Sequence, residues 1–515
     1  MRKRWAVRAA IFAVVVSITL GMLGVADAGP KACESRNSNS VAELLACVTL
    51  EGVREHQAAL QAIADANGGI RASGTPGYDA SVDYVVDRMQ AAGYLVTKQA
   101  FTYLAFLRLG PSTLAQVAPG SVTYVEFTDY RLMDQTDPGD VTASVTAVDL
   151  QLGLGNTSTS GCEAADFAGF PAGHIALLQR GTCTFQLKAE NAAAAGAAGA
   201  IIFNQGNTAD RTGLFAGTLS ANYAGGIPVF AASYTRGVEW AGTPGLTLHM
   251  VADVFRGTVT AFNVLAETAG GDGDNVVMAG AHLDSVDTGP GIQDNGSGTA
   301  VLLEVAEQLQ KVKPRNKVRF AWWGAEEAVL VGSTHYVDSL PEAERQRIAL
   351  YLNFDMVGSP NYVRFVYDGD GSAFGLAGPT GSDAIERLFE GFYSSRALAF
   401  EPTQIDFRSD YGPFFNAGIP FGGLFTGAEG IKTPAQAAVY GGTAGLAYDP
   451  CYHQACDTYA NVSTAVLDLN SDAAAFAVLT YAMNTETVNG VGGKGNFKQK
   501  PAQVNTDRWG PLLLR

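Results

Sequence analysis

NVVMAGAHLDS (275–285), TAVLLEVAEQLQKV (299–312) and KVRFAWWGAEE (317–327) decide how this chain reads. The first and third are apolar runs of strand length. The segment between them places Val301, Leu302, Val305, Leu309 and Val312 on one helical face. After a further helix, ALYLNFDMVGS (349–359) repeats the strand pattern. Strands alternating with helices predict an α/β fold, a mixed, largely parallel sheet flanked by helices. Ligands of such sheets gather at the C-terminal strand ends, and His282, Glu326, Glu327 and Asp355 all fall there.

Asp294 in GIQDNGSG and His453 in CYHQAC extend this set to imidazoles and carboxylates, a donor chemistry that suits zinc with room for a reactive water. Singly, each residue also has an ordinary reading. His282 fits a core histidine, Asp294 a turn aspartate, and Glu326 and Glu327 solvated acids in the first turn of a helix. Two adjacent acids after an apolar run suggest two duties, one ligand and one base. Asp284, two residues beyond His282 and on the same side if the strand continues, is placed to hold the imidazole tautomer. No GxxxxGK[ST] phosphate loop and no GxSxG elbow are present. His56, His174, His249 and His335 lack acidic or cysteine neighbours at ligand spacing and read as structural or surface residues.

Working outward, 515 residues with 47% hydrophobic and 16% charged positions suffice for more than one packed domain. Arg2, Lys3, Arg4 and Arg8, then an apolar Ile11 to Leu23, then Ala26-Asp27-Ala28, form the pattern of a signal peptide over 1–28. A secreted protein without a membrane anchor after cleavage is therefore expected. A formal net charge of −16 argues against nucleic acid or anionic membrane as partner. The six cysteines are even in number, and export makes disulfides the default. Proximity suggests Cys33–Cys47, Cys162–Cys183 and Cys451–Cys456, one of 15 possible connectivities. Asn156 and Asn461 begin glycosylation sequons.

VDYVVDRMQAAGY (82–94) has helical spacing and YLVTKQAFTY (94–103) reads as a strand, so 29–120 is taken as the N-terminal part of the main domain. SVTYVEFTDY (121–130) and VTASVTAVDLQL (141–152) alternate with period two. HIALLQ, an Ala-rich helix and AIIFNQG form a βαβ unit, and GIPVFAASY (226–234) adds another strand. These define an inserted β-rich domain over 121–255, a main domain resuming over 256–488, and a Gly-rich flexible tail over 489–515.

GAHLDSVDTGPGIQDNGSGTA, VRFAWWGAEEAVLVGS, LNFDMVGSPN, FRSDYGPF, GGLFTGAEG and DPCYHQACDTYAN resemble, in order, the secreted co-catalytic di-zinc aminopeptidases of the leucine aminopeptidase type. LQAIADANGGIRASGTPGYDASVDYVVDRM (60–89) resembles their N-terminal helices, and QRGTCTFQLKAENAAAAGAAGAIIFNQG (179–206) resembles the protease-associated domain inserted in larger members. The resemblance implies a zinc exopeptidase fold and two zinc ions per chain. Asp294 would bridge both, His282 and Asp355 would complete one, and Glu327 and His453 the other. Glu326 would be the general base, Tyr452 a donor to the developing oxyanion, and Arg408 a substrate contact. Where close relatives read RSDHAPF, this chain has RSDYGPF (408–414), which puts pocket shape in question rather than chemistry. The expected activity is removal of hydrophobic N-terminal residues from peptides or protein N-termini by a monomer. A carboxypeptidase or dipeptidase on the same fold, reading a carboxylate through Arg408, is the alternative. A non-catalytic binding protein is a further one.

Overall fold

The computed structural model describes Cys33 and residues 38–492, and the expected signal peptide and most of the tail lie outside these. The chain builds two eight-stranded sheets. Across the first, the order is Leu95–Arg108, Val254–Glu267, Asn316–Trp323, Asp272–His282, Ile348–Phe354, Phe421–Phe425, Phe365–Tyr367 and Glu401–Thr403. Its four central strands, from Asn316–Trp323 to Phe421–Phe425, pair in parallel, whereas Leu95–Arg108 runs antiparallel to Val254–Glu267 over its whole length.

Side-chain alternation along Asp272–His282 explains why both faces of this sheet are covered. Val277, Ala279 and Ala281 join the cluster beneath helix Gly296–Leu309, while Val276 and Met278 pack with Trp323, Tyr336 and Tyr351 on the other side. The helix expected to bury one stripe is buried almost all round, because helices Leu50–Ala66, Pro76–Ala91 and Thr464–Met483 also pack on it. Gly298 in its first turn is required by proximity, since a Cβ there would meet the Phe354 carbonyl oxygen. From Asp272–His282 the chain moves to a neighbour on one side, then crosses to Ile348–Phe354 on the other. The reversal opens a crevice at the strand ends.

The second sheet contains the expected βαβ unit, Ile175–Gln179, Phe185–Ala194 and Gly199–Phe203, with the two strands parallel, and also Val229–Ala232. Thr113–Ala118 belongs to this sheet through its pairing with Thr247–Ala252, so the inserted unit begins before residue 121. SVTYVEFTDY is not one strand. Only Val122–Thr123 and Tyr130–Leu132 are extended, because the Asp129 carboxylate accepts from Val125 N at 2.9 Å and Phe127 sits at φ 64°, which turns the chain. The three disulfides are Cys33–Cys47, Cys162–Cys183 and Cys451–Cys456. Among the described residues no helix is long and apolar enough to cross a membrane.

Candidate metal centre

Strand Asp272–His282 ends on a histidine that is only 1% exposed. Its Nε2 lies 3.1 Å from Asp294 Oδ1, 3.3 Å from Asp355 Oδ1 and 3.9 Å from Glu326 Oε2. Asp355 directly follows strand Ile348–Phe354, and its Oδ2 accepts from Ser409 Oγ at 2.6 Å. On the other side of Asp294, Oδ2 is 3.2 Å from His453 Nε2, which is also 3.1 Å from Glu327 Oε2. His453 stands on a loop spanned by Cys451–Cys456 and its side chain is 39% exposed. One aspartate thus presents each of its oxygens to a different imidazole.

The strand ends at His282, so Asp284 lies beyond it and its expected role changes. His282 Nδ1 is 3.1 Å from the Asp284 carbonyl oxygen and 3.6 Å from its carboxylate. That carboxylate accepts from the backbone N–H groups of Glu326 and Glu327 at 3.2 and 3.3 Å, so Asp284 fixes the turn carrying both glutamates. Three positions beside or within the cage have left-handed backbone, Ala325 at φ 55°, Met356 at 55° and His453 at 56°. Such conformations in residues other than glycine are costly and concentrate at functional sites.

Further supports escaped the sequence reading. Arg71, fully buried, donates to the carbonyls of Leu283, Pro290 and Gly291, bracing the loop between His282 and Asp294. Asp457 accepts from the backbone N–H of Gln293 and of Asp294 at 2.8 and 2.9 Å. Asn295 donates to the Phe354 carbonyl and accepts from Gly298 N and Met356 N, which joins the Asp294 turn to the Asp355 strand end. All three come from ordinary residue types distant in sequence from some of their partners, and no local pattern marks them. His56, expected to lack acidic company, lies with Glu304 and Glu307 from another helix. Burial and the Arg88 charge push it down to about 3, so it is a neutral structural histidine bonded to Tyr84 at 2.8 Å.

Electrostatically the cage has an excess of acid. Burial, then Asp355, Glu327 and Asp410, push Glu326 well above the usual carboxylate range, and burial with the Asp294 charge lifts Glu327 to about 7. Burial takes Asp410 up to about 8 and Asp457 to about 7. Against the opposing effect of burial, hydrogen bonds to Asp294 and Glu327 carry His453 up to about 10. Arg71 is fully buried nearby, and its guanidinium serves carbonyls. Oxygens Glu327 Oε1 and Asp355 Oδ1 are buried without a hydrogen-bond partner.

These observations fit two zinc ions. Zinc–ligand bonds of about 2.0–2.1 Å in a tetrahedron separate neighbouring donors by roughly 3.3 Å, and the His282–Asp294, His282–Asp355, His453–Asp294 and His453–Glu327 distances are 3.1 to 3.3 Å. Proximity alone also groups His282 with Asp294 and Glu327, and with Glu326 and Asp355. The shorter pair distances favour the division by histidine. Above the cage a cleft of about 370 Å³ is walled by Phe365, Tyr367, Phe374, Phe425 and Tyr448. At its mouth Arg408 donates to Glu429 at 2.7 Å and to the Tyr452 hydroxyl at 3.1 Å.

Residues 263–478 match the model of peptidase family M28, and residues 141–240 match the PA domain. An aminopeptidase of Pseudomonas aeruginosa is 56% identical over 476 residues, 91% of this chain and 89% of that protein. Leucine aminopeptidase 2 of Trichophyton equinum is 47% identical over 63% of this chain and 65% of its own length. Among solved structures, the aminopeptidase from Aneurinibacillus sp. strain AM-1 is 28% identical with a TM-score of 0.59, covering 85% of this chain and 95% of its own. A zinc aminopeptidase from Bacillus subtilis is 26% identical with a TM-score of 0.58, over 84% and 94%.

Proposed function

This chain belongs to peptidase family M28 and is a metallo-aminopeptidase, and from that premise we propose that it removes hydrophobic N-terminal residues from peptides with two zinc ions bound. His282, Asp294 and Asp355 would hold one ion, and Asp294, Glu327 and His453 the other. The observation that carries this reading is the split of Asp294, one oxygen 3.1 Å from His282 and the other 3.2 Å from His453. Zinc in such a pair supplies Lewis acidity and a water acidic enough to ionise near neutral pH.

The chain's own groups do the rest. Glu326, buried beside His282 yet outside both proposed ligand sets, takes a proton from the attacking water and returns it to the leaving amine. Tyr452 accepts from Arg408, which leaves its own O–H free to donate to the oxygen that becomes negative in the transition state. The aromatic wall receives an apolar side chain, and the acid-rich floor attracts the substrate ammonium. Arg408 is already engaged by Glu429, which speaks against its serving as the carboxylate reader of a carboxypeptidase. Three disulfides support a secreted location.

The test is metal content together with hydrolysis of matched peptides bearing free and acetylated N-termini. Two zinc ions per chain, with cleavage of the free peptide alone and loss of activity to a chelator, are expected. Cleavage of both peptides at the C-terminal end would overturn the aminopeptidase specificity, and one zinc per chain would overturn the two-ion assignment.

A further inference from the structure

A second group of acids lies at the rim of the cleft, in YDGDGSAFG (367–375), and takes no part in the reading above. Strand Phe365–Tyr367 runs into Asp368, and the tight loop after it turns through Gly371 at φ 73°. Asp368, Asp370 and Glu386, the last from helix Ser382–Ser394, each place a carboxylate oxygen within 4.8 Å of the others. Asp368 is 1% exposed, and its Oδ1 is a buried oxygen with no hydrogen-bond partner. The remaining contacts hold the loop in shape. Asp368 Oδ2 accepts from Ala373 N and Phe374 N at 3.1 and 2.8 Å, Asp370 Oδ1 from Ser372 N at 2.8 Å, and Glu386 Oε2 from Asp370 N at 2.9 Å.

Among the described residues no ion pair links a base to these three carboxylates, and the Arg387 charge reaches Asp370 and Glu386 only from a distance. Arg387, the adjacent base, pairs with Asp383 at 2.8 Å instead. Burial, then the Asp370, Glu390 and Asp368 charges, push Glu386 up to about 7, as acids crowded together do. The donors are all hard oxygens, without imidazole or thiolate, and Asp368, Asp370 and Ser372 put oxygen side chains at every second position, as calcium loops do at their first, third and fifth.

We propose that Asp368, Asp370 and Glu386 form a calcium site that braces the loop carrying Phe374 against the substrate cleft. The ion ties a strand end to a helix. Waters or carbonyls complete the 6–8 oxygens that calcium takes. Its link to function runs through Phe374, whose N–H is held by Asp368 and whose side chain lines the cleft.

The experiment is calorimetric titration of the full, zinc-loaded chain with calcium chloride, alongside the Asp370→Asn variant. Asp370 is exposed, so the isosteric change leaves the core intact, which retained zinc content and circular dichroism verify. The expected result is one calcium per wild-type chain and none for Asp370→Asn at the same concentrations. With calcium, KM for an N-terminal leucine substrate falls several-fold while kcat stays within about twofold in the wild type, and neither moves in the variant. No binding to the wild type, as when Asp368 and Asp370 share a proton instead, or equal binding to the variant, would overturn the site. Calcium binding with KM unmoved would overturn the bracing of Phe374.

Discussion

The two halves of the metal cage are built on different material. His282 and Asp355 sit at the ends of adjacent parallel strands, almost wholly shielded, whereas His453 is a part-exposed residue on a loop closed by a five-residue disulfide span. A strand end inherits its position from the sheet ladder. A loop must be fixed by other means, and here these are the disulfide, the Thr288 hydroxyl on the His453 carbonyl at 2.9 Å, and the stacking of Tyr452 on His453 with ring centroids 3.8 Å apart. The contrast teaches that, of the two proposed ion sites, one would be made by the fold and the other by a clip added to it.

The largest effect is expected at the residue common to both halves. Asp294→Ala removes an oxygen from each set, so zinc content falls from two towards zero and activity by more than roughly ten thousandfold, read by metal analysis and initial rates. Retention of one tightly held zinc would mean that the halves are less dependent on Asp294 than the geometry implies. Glu326→Gln separates chemistry from binding, because both zinc ions stay while kcat drops by about a hundredfold to ten thousandfold. Loss of metal instead would exchange the roles of Glu326 and Glu327.

The asymmetry itself is tested by replacing Cys451 and Cys456 together with serine. The His453 side is then expected to release zinc about 10 to 100 times more readily, as when other supports of metal ligands are removed, while the His282 side holds its ion. Equal loss from both sides in competition with a chelator would erase the distinction. The smallest effect concerns the mouth. Glu429→Gln frees the exposed Arg408 guanidinium, and since exposed pairs are worth only ~0–1 kcal/mol, KM for dipeptides with a nearby free carboxylate should fall by less than about fivefold. A rise in KM would show that Glu429 itself contacts substrate.

What the sequence revealed follows the same division. His282, Glu326, Glu327 and Asp355 were legible because each follows an apolar run, and strand ends are where an open α/β sheet binds. Asp294 and His453 carry no such mark: residue type alone added them to the donor set, and the resemblance of their surrounding motifs supplied their roles. Arg71, Asn295 and Asp457 were not legible at all, since each works through backbone groups brought near by folding. His56 shows the limit in reverse, because its acidic neighbours come from a helix about 250 residues away. The strand expected over SVTYVEFTDY failed on turn chemistry, where the Asp129 side chain overrode the alternation.

The pairing of Leu95–Arg108 with Val254–Glu267 has a bearing on ancestry. Arg108 lies opposite Val254, so the whole PA-containing excursion leaves and rejoins the main sheet at neighbouring rungs. To the ladder, that module is a single oversized hairpin turn. Its acquisition or loss in a lineage would leave every rung of the pairing in register, and what would change is the closure entropy of the turn, which grows slowly with its length, and the ion pairs of Arg108 with Glu126 and of Arg256 with Asp137. Modules of this kind can be traded between proteins without the enzyme beneath having to be reinvented.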